Sequence, residues 1–482
     1  MLDFRPIFLV TGILLLTLSA AMVLPALVDL AAGHDDWGVF LASSAFTMFV
    51  GGVMVLTNMS GSRRLVVRQA FLLTSMAWVA MPAFAALPFQ FSELQLSYTD
   101  AFFEAMSGLT TTGSTVIVGL DTAPPGILLW RSLLQWLGGI GILVMAISIL
   151  PMLQIGGMQL FRMEFAERIE KALPRAAQIA GSILFVYLLL TLFCAIAYWG
   201  LGMGPFDALN HAMTTMATGG FSTKDASIGY YDHAWIDVTS TLFMILGSLP
   251  FLLYVQALRG SWRPLLRDSQ VYWFFGLLGG GVAILVVQLM VVEGWGFLLA
   301  MRHAAFNATS IMTGTGYATV DFSLWGSFAL PVFFFLMFLG GCAGSTTCGL
   351  KVFRVQVLFE TARNQLKRLL QPHGVFLSYY NGRPIPAGVS ESVMSFFFLF
   401  ISCFGLLAIG LAATGLDFLT ATSAAATAIS NVGPGLGPIV GPAGNFSSLT
   451  DTAKWLLSFG MLLGRLELFT ILVLLAPSFW RQ

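Results

Sequence analysis

Four segments of the chain align with one another without gaps, and each ends in a glycine. They cover residues 100–113, 207–220, 303–316 and 420–433. Alanine occupies the second and sixth positions of every segment, and serine or threonine occupies the eighth. The closing glycines lie roughly a hundred residues apart, about the length of one structural unit. The chain is therefore predicted to consist of four similar units.

Composition places these units in a membrane. Hydrophobic residues make up 57% of the chain, charged residues only 10%, and the formal net charge is zero. About ten apolar stretches reach the roughly twenty residues that a membrane-spanning helix needs. They include 234–257, 327–350 and 455–478. The first stretch, 7–29, is too long for the apolar part of a typical signal peptide and is interpreted as a retained helix.

Basic residues are concentrated in alternate connections, which predicts that these connections face the cytoplasm. That side carries Arg5, Arg63, Arg64, Arg68, Arg162, Arg168, Lys171, Arg175, Arg259, Arg263, Arg267, Lys351, Arg354, Arg363, Lys367, Arg368, Arg383 and Arg481. Both termini are then cytoplasmic, and the four segments lie on the external side. Acidic residues such as Asp100 and Asp207 gather there too, where carboxylates raise the local concentration of cations. For any one of these acidic residues, a role as a solvated loop residue or a helix cap is an equally good interpretation.

The first segment illustrates how one unit is expected to fold. Ser97 and Asp100 offer N-cap chemistry for a helix that ends near Thr110. At 1.5 Å per residue this helix covers roughly 16 Å, about half of the hydrocarbon thickness. Its C-terminal end then favours a cation near mid-membrane. Residues 111–115 can return extended to the outer surface, and the stretch 127–150 descends again.

The fourth segment closes on Asn431-Val432-Gly433-Pro434-Gly435. This run is similar to Thr-Val-Gly-Tyr-Gly, whose carbonyl oxygens replace the hydration shell of K⁺ in potassium-selective pores. Together with the fourfold repeat, it makes the chain resemble the superfamily of potassium transporters formed by bacterial Trk and Ktr membrane subunits and their plant and fungal relatives. The resemblance covers essentially the whole chain. Two additional N-terminal spans look like the Trk-type membrane subunit.

The resemblance implies an all-α membrane protein. Four pseudo-symmetric repeats of helix, pore helix, filter and helix surround one pore, preceded by two extra N-terminal transmembrane helices. The expected boundaries are 1–66 for the helix pair, 67–155, 176–260, 270–355 and 391–482 for the four repeats, and 356–390 for a cytoplasmic loop.

It also implies K⁺ uptake across the bacterial inner membrane through a gated, channel-like pore, with no organic cofactor. The expected K⁺ selectivity filter comprises Thr111, Thr112, Gly113, Thr218, Gly219, Gly220, Gly314, Thr315, Gly316, Asn431, Val432 and Gly433. In this family, a central glycine in every unit goes with K⁺ preference. However, only the fourth unit has the second glycine, and Pro434 replaces the usual tyrosine. Fewer ordered ion sites and weaker discrimination are therefore expected.

The resemblance further assigns a gate below the filter. Its residues are Gly340, Gly341, Gly344, Ser345, Thr346, Thr347 and Gly349, with Arg465 as an intramembrane charge. Close helix packing is the alternative for the small residues. Arginine in a membrane costs roughly 2.5 to 3.5 kcal/mol and usually faces a cavity or a partner. Its alternative role is a salt bridge to another helix, because Glu467 is expected on a different face of the same helix.

The expected partners are a second copy of the chain and a cytosolic nucleotide-binding subunit with RCK domains. No nucleic-acid partner is expected. The basic connection 351–390 can equally contact that subunit or anionic lipid. Symport of K⁺ with H⁺ or Na⁺ is the alternative function, although no intramembrane cluster of carboxylates and histidines suggests a proton relay. An enzyme is not expected, since His-Glu-x-x-His and Gly-x-Ser-x-Gly are absent from the sequence.

Three further polar residues near the four segments are assigned supporting roles. Arg131 and Gln135 could hold the first filter segment in place. His211 is interpreted as a packing or hydrogen-bonding residue rather than as a proton carrier.

Overall fold

The computed structural model describes residues 3–59, 66–148, 176–386 and 388–481. The prediction of a helical membrane protein is confirmed within them. Seven helices are long and apolar enough to cross a bilayer, and two bent helix pairs pass the same test together. The predicted end of the first repeat at residue 155 lies outside the described residues. So do the predicted cytoplasmic residues Arg63, Arg64, Arg162, Arg168, Lys171 and Arg175.

The helices in chain order are α1 (Arg5–Ala32), α2 (Trp37–Asn58), α3 (Val67–Ala85), α4 (Leu87–Phe91), α5 (Tyr98–Leu109), α6 (Pro125–Ser148), α7 (Ala176–Gly200), α8 (Pro205–Met216), α9 (Ala234–Ser248), α10 (Phe251–Leu258), α11 (Arg263–Arg267), α12 (Ser269–Val291), α13 (Phe297–Met312), α14 (Ala329–Leu339), α15 (Val352–Leu370), α16 (Val389–Ala412), α17 (Phe418–Ser430), α18 (Gly437–Val440), α19 (Asp451–Arg465), α20 (Phe469–Leu475) and α21 (Pro477–Trp480). Short 3₁₀ turns lie at Leu120–Thr122, Ser227–Tyr231 and Phe322–Leu324. A small antiparallel hairpin pairs β1 (Tyr379–Tyr380) with β2 (Arg383–Pro384).

Helices α1 and α2 pack closely on each other through small residues. The Ser19 hydroxyl donates to the Ser44 carbonyl over 2.9 Å, and the Ser44 hydroxyl donates to the Ser19 carbonyl over the same distance. A Cβ on Gly12 would lie 2.8 Å from the carbonyl oxygen of Gly51. Small residues let helix backbones approach in this way inside a membrane.

Each of the four repeated segments lies on a helix that is too short to cross a bilayer. These helices are α5, α8, α13 and α17, with 12, 12, 16 and 13 residues. Their length of about 18 to 24 Å falls short of the hydrocarbon core of about 30 Å. The repeated alanines lie on them, and every one is at most 1% exposed: Ala101, Ala105, Ala208, Ala212, Ala304, Ala308, Ala421 and Ala425. The repeated alanines therefore place a small side chain where the short helices are most tightly enclosed.

Three of the predicted spans are not continuous helices. For 234–257 and 455–478 the prediction of one continuous helix was wrong, whereas the break in 327–350 lies where the glycine-rich run predicted an interruption. The stretch 234–257 bends by 93° between α9 and α10, where Pro250 supplies no backbone N–H. The stretch 455–478 bends by 114° between α19 and α20, where Glu467 and Leu468 have positive φ angles. The stretch 327–350 ends as a helix at Leu339, followed by Gly340 at a φ of 69°.

Candidate functional site

The predicted filter residues form four loops, each directly after one short helix. We call residues 111–113 loop 1, 218–220 loop 2, 314–316 loop 3 and 431–433 loop 4. The first and third residues of every loop have positive φ angles: Thr111 52°, Gly113 89°, Thr218 50°, Gly220 75°, Gly314 72°, Gly316 83°, Asn431 54° and Gly433 108°. A non-glycine residue in this region costs on the order of 1 to 3 kcal/mol. The strained backbone of the loops must therefore be held by its surroundings.

The four loops meet in a closed ring. The third residue of each loop lies against the carbonyl oxygen of the middle residue in the next loop, so closely that a Cβ on the glycine would crowd or overlap that oxygen. The pairs are Gly113 with Gly219, Gly220 with Thr315, Gly316 with Val432, and Gly433 with Thr112. Glycine is required at these positions both by the positive φ and by the neighbouring oxygen.

Side chains close the ring between loops 4 and 1. Asn431 Nδ2 donates to Thr112 Oγ1 and to the Met461 carbonyl, each over 2.9 Å. Ser114 Oγ donates to the Gly433 carbonyl over 2.7 Å. The asparagine that replaces the threonine of the potassium-pore pattern thus links two units and a transmembrane helix.

Gln135 on α6 holds loop 2 rather than the first filter segment. Its Nε2 donates to the Gly219 carbonyl over 2.5 Å, and its Oε1 accepts from the Phe221 backbone N–H over 3.0 Å. A glutamine on α6, in the first predicted repeat, therefore fixes loop 2, which belongs to the second. Arg131, one turn earlier, contacts both units: its guanidinium donates to Thr115 Oγ1 over 3.2 Å and to the Ser222 carbonyl over 2.7 Å.

A cavity of about 80 Å³ lies on the outer side of the ring. The closing glycines of all four loops line it, together with Lys224 and Asp225. Lys224 Nζ lies 3.8 Å from the Asp121 carboxylate and 4.8 Å from the Tyr230 ring centroid. Lys224 is the one basic side chain predicted for this external connection. Its ammonium group therefore interacts with a carboxylate and an aromatic ring.

The outer ends of two short helices are capped by side chains as expected. Ser97 Oγ accepts from the Asp100 backbone N–H over 3.1 Å. Asp417 accepts from the Thr420 backbone N–H over 3.1 Å, and hydrogen bonds from Thr420 hold the pKa of this carboxyl below its usual value of 3.8. The opposite, C-terminal ends of these helices carry the negative half of the dipole and lead into the loops.

The predicted gate residues form one compact loop, residues 340–351, which we call the glycine-rich loop. Gly340, Gly344 and Gly349 have φ angles of 69°, 77° and 77°. The loop packs against the break between α9 and α10: the Cys342 N–H donates to the Ser248 carbonyl over 3.0 Å, and the Phe251 N–H donates to the Gly344 carbonyl over 2.9 Å. The bend of one unit thus supports the irregular backbone of the next.

Thr346 connects the glycine-rich loop to the ring. Its hydroxyl donates to the Gly247 carbonyl over 3.0 Å and accepts from Thr218 Oγ1 over 3.2 Å. The loop therefore lies directly beneath loop 2, on the side away from the outer cavity.

Arg465 is the last residue of α19 and is only 1% exposed. Its guanidinium donates to the Thr346 carbonyl over 3.1 Å, to Cys348 Sγ over 2.8 Å and to the Gly138 carbonyl over 2.8 Å. Arg465 therefore contacts the glycine-rich loop directly, a contact that the sequence analysis did not predict. Within the described residues, the nearby Glu467 forms its salt bridge with Arg354 instead.

The ion pair between Arg354 and Glu467 was missed in the sequence. Both side chains are buried, and Arg354 also stacks over the Phe396 ring at 3.8 Å. The pair joins α15, directly after the glycine-rich loop, to the bend between α19 and α20. The signal that could have found it is the presence of two charges in otherwise apolar surroundings.

His211 behaves as a hydrogen-bonding residue. Its Nδ1 lies 2.8 Å from the Asp207 carbonyl oxygen, and its Nε2 lies 3.0 Å from Ser222 Oγ. Both ring nitrogens therefore have partners within its own unit.

Comparison with known proteins places this geometry in a family. The family model described as "TrkH: Cation transport protein" matches residues 38–482. The "Trk system potassium uptake protein TrkI" of Halomonas elongata is 45% identical, over 99% of this chain and 97% of the relative. The "Trk system potassium uptake protein TrkH" of Escherichia coli is 38% identical over the full length of both chains.

A solved structure agrees with these matches. The crystal structure of the potassium transporter TrkH from Vibrio parahaemolyticus superposes with a TM-score of 0.92 at 37% identity, covering 100% of both chains. The similarity thus extends to the N-terminal helix pair as well as to the four loops.

Proposed function

Because the chain belongs to the TrkH family of cation transport proteins, we propose that it takes up potassium ions through one gated, K⁺-selective pore. The ring of four loops carries this proposal. Its carbonyl oxygens belong to strained backbone in a buried ring, where they replace the water around a dehydrated K⁺. The related proteins from Halomonas and Escherichia, both named for potassium uptake, support K⁺ as the transported ion. No organic cofactor and no chemical turnover are part of the proposal.

The direction of transport follows from the membrane potential. Each monovalent cation gains about 2.3 kcal/mol on crossing a potential of 100 mV, which is enough for roughly fortyfold accumulation. Ions enter from the outer cavity, which the closing glycines of all four loops line. We place the protein in the bacterial inner membrane with both termini in the cytoplasm, in agreement with the distribution of basic residues.

The glycine-rich loop is the proposed gate. It blocks the path below the ring, and Arg465 adds a positive charge that opposes a resident K⁺. Opening then requires Thr346 to release Thr218, Gly247 or both, since these contacts keep the loop against the ring. Such movement is possible because each of the side-chain and backbone hydrogen bonds that hold the loop stabilises it by only about 0.5 to 1.5 kcal/mol.

A cytosolic RCK-type nucleotide-binding subunit is the proposed regulator, and the assembly is proposed to be a homodimer. Helix α15 offers the mechanical connection, because it begins directly after the glycine-rich loop and exposes Arg363 and Arg368. A force on this cytoplasmic helix would act on the gate through Lys351 and Val352.

The test is uptake of radioactive Rb⁺ into liposomes that contain the purified chain. A voltage is imposed without a pH or Na⁺ gradient, and K⁺ or Na⁺ is added as competitor. Uptake that K⁺ blocks far better than Na⁺ supports a selective pore, whereas equal block by both ions contradicts it. Uptake that needs a proton or sodium gradient in addition to voltage would favour the coupled symporter.

A further inference from the structure

On each short helix, one side chain forms a hydrogen bond with the segment that follows the loop after that helix. Glu104, His211 and Asn307 occupy the same column of the repeat, and in the fourth unit Ser423 precedes the corresponding alanine by one residue. Their partners are Val116 N at 2.9 Å, Ser222 Oγ at 3.0 Å, Thr319 Oγ1 at 2.9 Å and Leu436 N at 3.0 Å. We call these four contacts the brackets. Each one fixes the outer end of its loop to the helix below it.

The bracket of the first unit is unlike the other three because it is charged. Glu104 is 0% exposed and forms a salt bridge with Arg131, which is 1% exposed, over 2.8 Å. The other oxygen of the carboxylate accepts from the Val116 backbone N–H. Thr115 Oγ1 lies 3.0 and 3.1 Å from the two carboxylate oxygens.

Arg131 extends this bracket to the second unit. Besides Glu104, its guanidinium donates to the Ser222 carbonyl over 2.7 Å and lies 4.1 Å from the centroid of the Phe221 ring. Phe221 and Ser222 directly follow Gly220, and Thr115 and Val116 follow Gly113. The guanidinium group of Arg131 therefore sets the distance between the segments that follow loops 1 and 2.

Stability alone is a poor reason for burying such a pair. The loss of hydration often outweighs the attraction between the charges, so that well-packed apolar residues stabilise a fold as well or better. The rigid, planar guanidinium group with its several hydrogen-bond donors nevertheless fixes a geometry that apolar packing does not fix. The contacts of Arg131 lie on the two segments whose positions determine the width of the ring at its outer end.

We propose that Glu104 and Arg131 are positioning residues for cation discrimination, which hold loops 1 and 2 at the separation that suits K⁺. This inference rests on the proposed function of the ring as a K⁺ filter. Neither side chain needs to touch the ion. Loosening the pair lets the ring adapt to the smaller Na⁺, so the preference for K⁺ falls while ions still pass.

The experiment compares Glu104→Gln and Arg131→Lys with the intact protein in Rb⁺ uptake, with K⁺ and Na⁺ as competitors. Glutamine keeps the size of Glu104 but has one acceptor oxygen, so it cannot accept from both Val116 and Arg131 as the two carboxylate oxygens do. Lysine keeps the positive charge of Arg131 but lacks the planar guanidinium group with its several donors. For each variant we expect the preference for K⁺ over Na⁺ to fall about tenfold, which corresponds to about 1.4 kcal/mol. Thr115→Val, which leaves the ion pair itself in place, is expected to cause a smaller fall and serves if the other two do not fold.

The matched control is Asp237→Asn. Asp237 is a buried carboxylate whose partner Arg302 lies 2.6 Å away and also pairs with Asp232, not with a residue of loops 1 to 4. It should lower the thermal unfolding temperature without changing the preference for K⁺.

Three results would overturn the proposal. An unchanged preference in Glu104→Gln and Arg131→Lys, while Gly316→Ser lowers it, would leave the filter standing and reduce the pair to a structural role. A fall in Glu104→Gln with no change in Arg131→Lys would show that charge, not geometry, is what counts. A native protein without K⁺ preference would remove the proposed function, and the positioning role with it.

Discussion

The hydroxyl of Thr218 in the ring lies 3.2 Å from the hydroxyl of Thr346 in the glycine-rich loop. Thr218 also has a positive φ of 50°, so the contact is made by one of the strained residues of loop 2. The proposed filter and the proposed gate therefore touch directly, without an intervening helix. A displacement of the gate must break or stretch this contact.

Replacing Thr346 with valine should make the gate easier to open. The change removes the hydroxyl that donates to the Gly247 carbonyl and accepts from Thr218, two hydrogen bonds worth about 0.5 to 1.5 kcal/mol each. The backbone N–H of residue 346 still donates to Gly247. We expect Rb⁺ uptake by the chain alone to rise severalfold. Thr74→Val is the control, since the Thr74 hydroxyl donates to the Ala70 carbonyl within α3. Equal uptake by the native protein and Thr346→Val would argue against a gate held at this position.

Replacing Arg465 with alanine should raise ion flux. The change removes a buried positive charge that opposes the ion, together with hydrogen bonds to Thr346, Cys348 and Gly138. A tenfold rise in flux corresponds to a barrier lowered by about 1.4 kcal/mol. Arg465→Lys separates the two effects, because it keeps the charge and loses the planar guanidinium group. If lysine raised flux as much as alanine, the charge would not be the barrier.

Replacing Gly316 with serine should weaken selectivity. The φ of 83° is unfavourable for serine, and the new Cβ would overlap the Val432 carbonyl oxygen and lie 2.8 Å from Pro434 Cδ. We expect the K⁺ preference over Na⁺, measured by competition with Rb⁺, to fall about tenfold. Gly202→Ser has the same kind of strain, at a φ of 103°, but no heavy atom lies within 4 Å of its Cβ. A K⁺/Na⁺ ratio that stays the same in Gly316→Ser would remove Gly316 from the filter.

Replacing Gln135 with leucine should damage loop 2 in particular. It leaves the Gly219 carbonyl and the Phe221 N–H without this partner, at about 1 to 3 kcal/mol for each buried group. We expect a lower unfolding temperature and a lower K⁺ preference. Gln288→Leu, which loses one bond of 3.2 Å to the Trp325 carbonyl, should lower the unfolding temperature only. The same K⁺/Na⁺ ratio in both variants would mean that Gln135 has no part in selectivity.

Much of the site could be predicted because its signal is local. The glycines that close the ring sit in a repeat that can be aligned by eye, and the glycines of the proposed gate stand out in an apolar stretch. The contacts between units could not be predicted in the same way. The spacing within one unit says nothing about which neighbour Gln135 reaches, and that neighbour turned out to be loop 2.

The relative orientation of Arg465 and Glu467 was also predicted on a wrong assumption, because the helix ends between them. The prediction that Glu467 lies on a different face from Arg465 assumes a continuous helix, whereas α19 ends at Arg465 and Glu467 has a φ of 58°. The conclusion that the two side chains do not pair holds, but for a different reason. Glu467 turns away with the bend and meets Arg354, a residue more than a hundred positions earlier in the chain.

Because one polypeptide supplies all four loops, a single codon change alters one quarter of the ring. In an assembly of four identical subunits, the same change would strike every quarter at once and would more often be lethal. The brackets already differ between the four units, as a carboxylate, an imidazole, an amide and a hydroxyl. The proposed ion preference of the ring can therefore change in small steps, because one substitution alters the geometry of one quarter and leaves the other three unchanged.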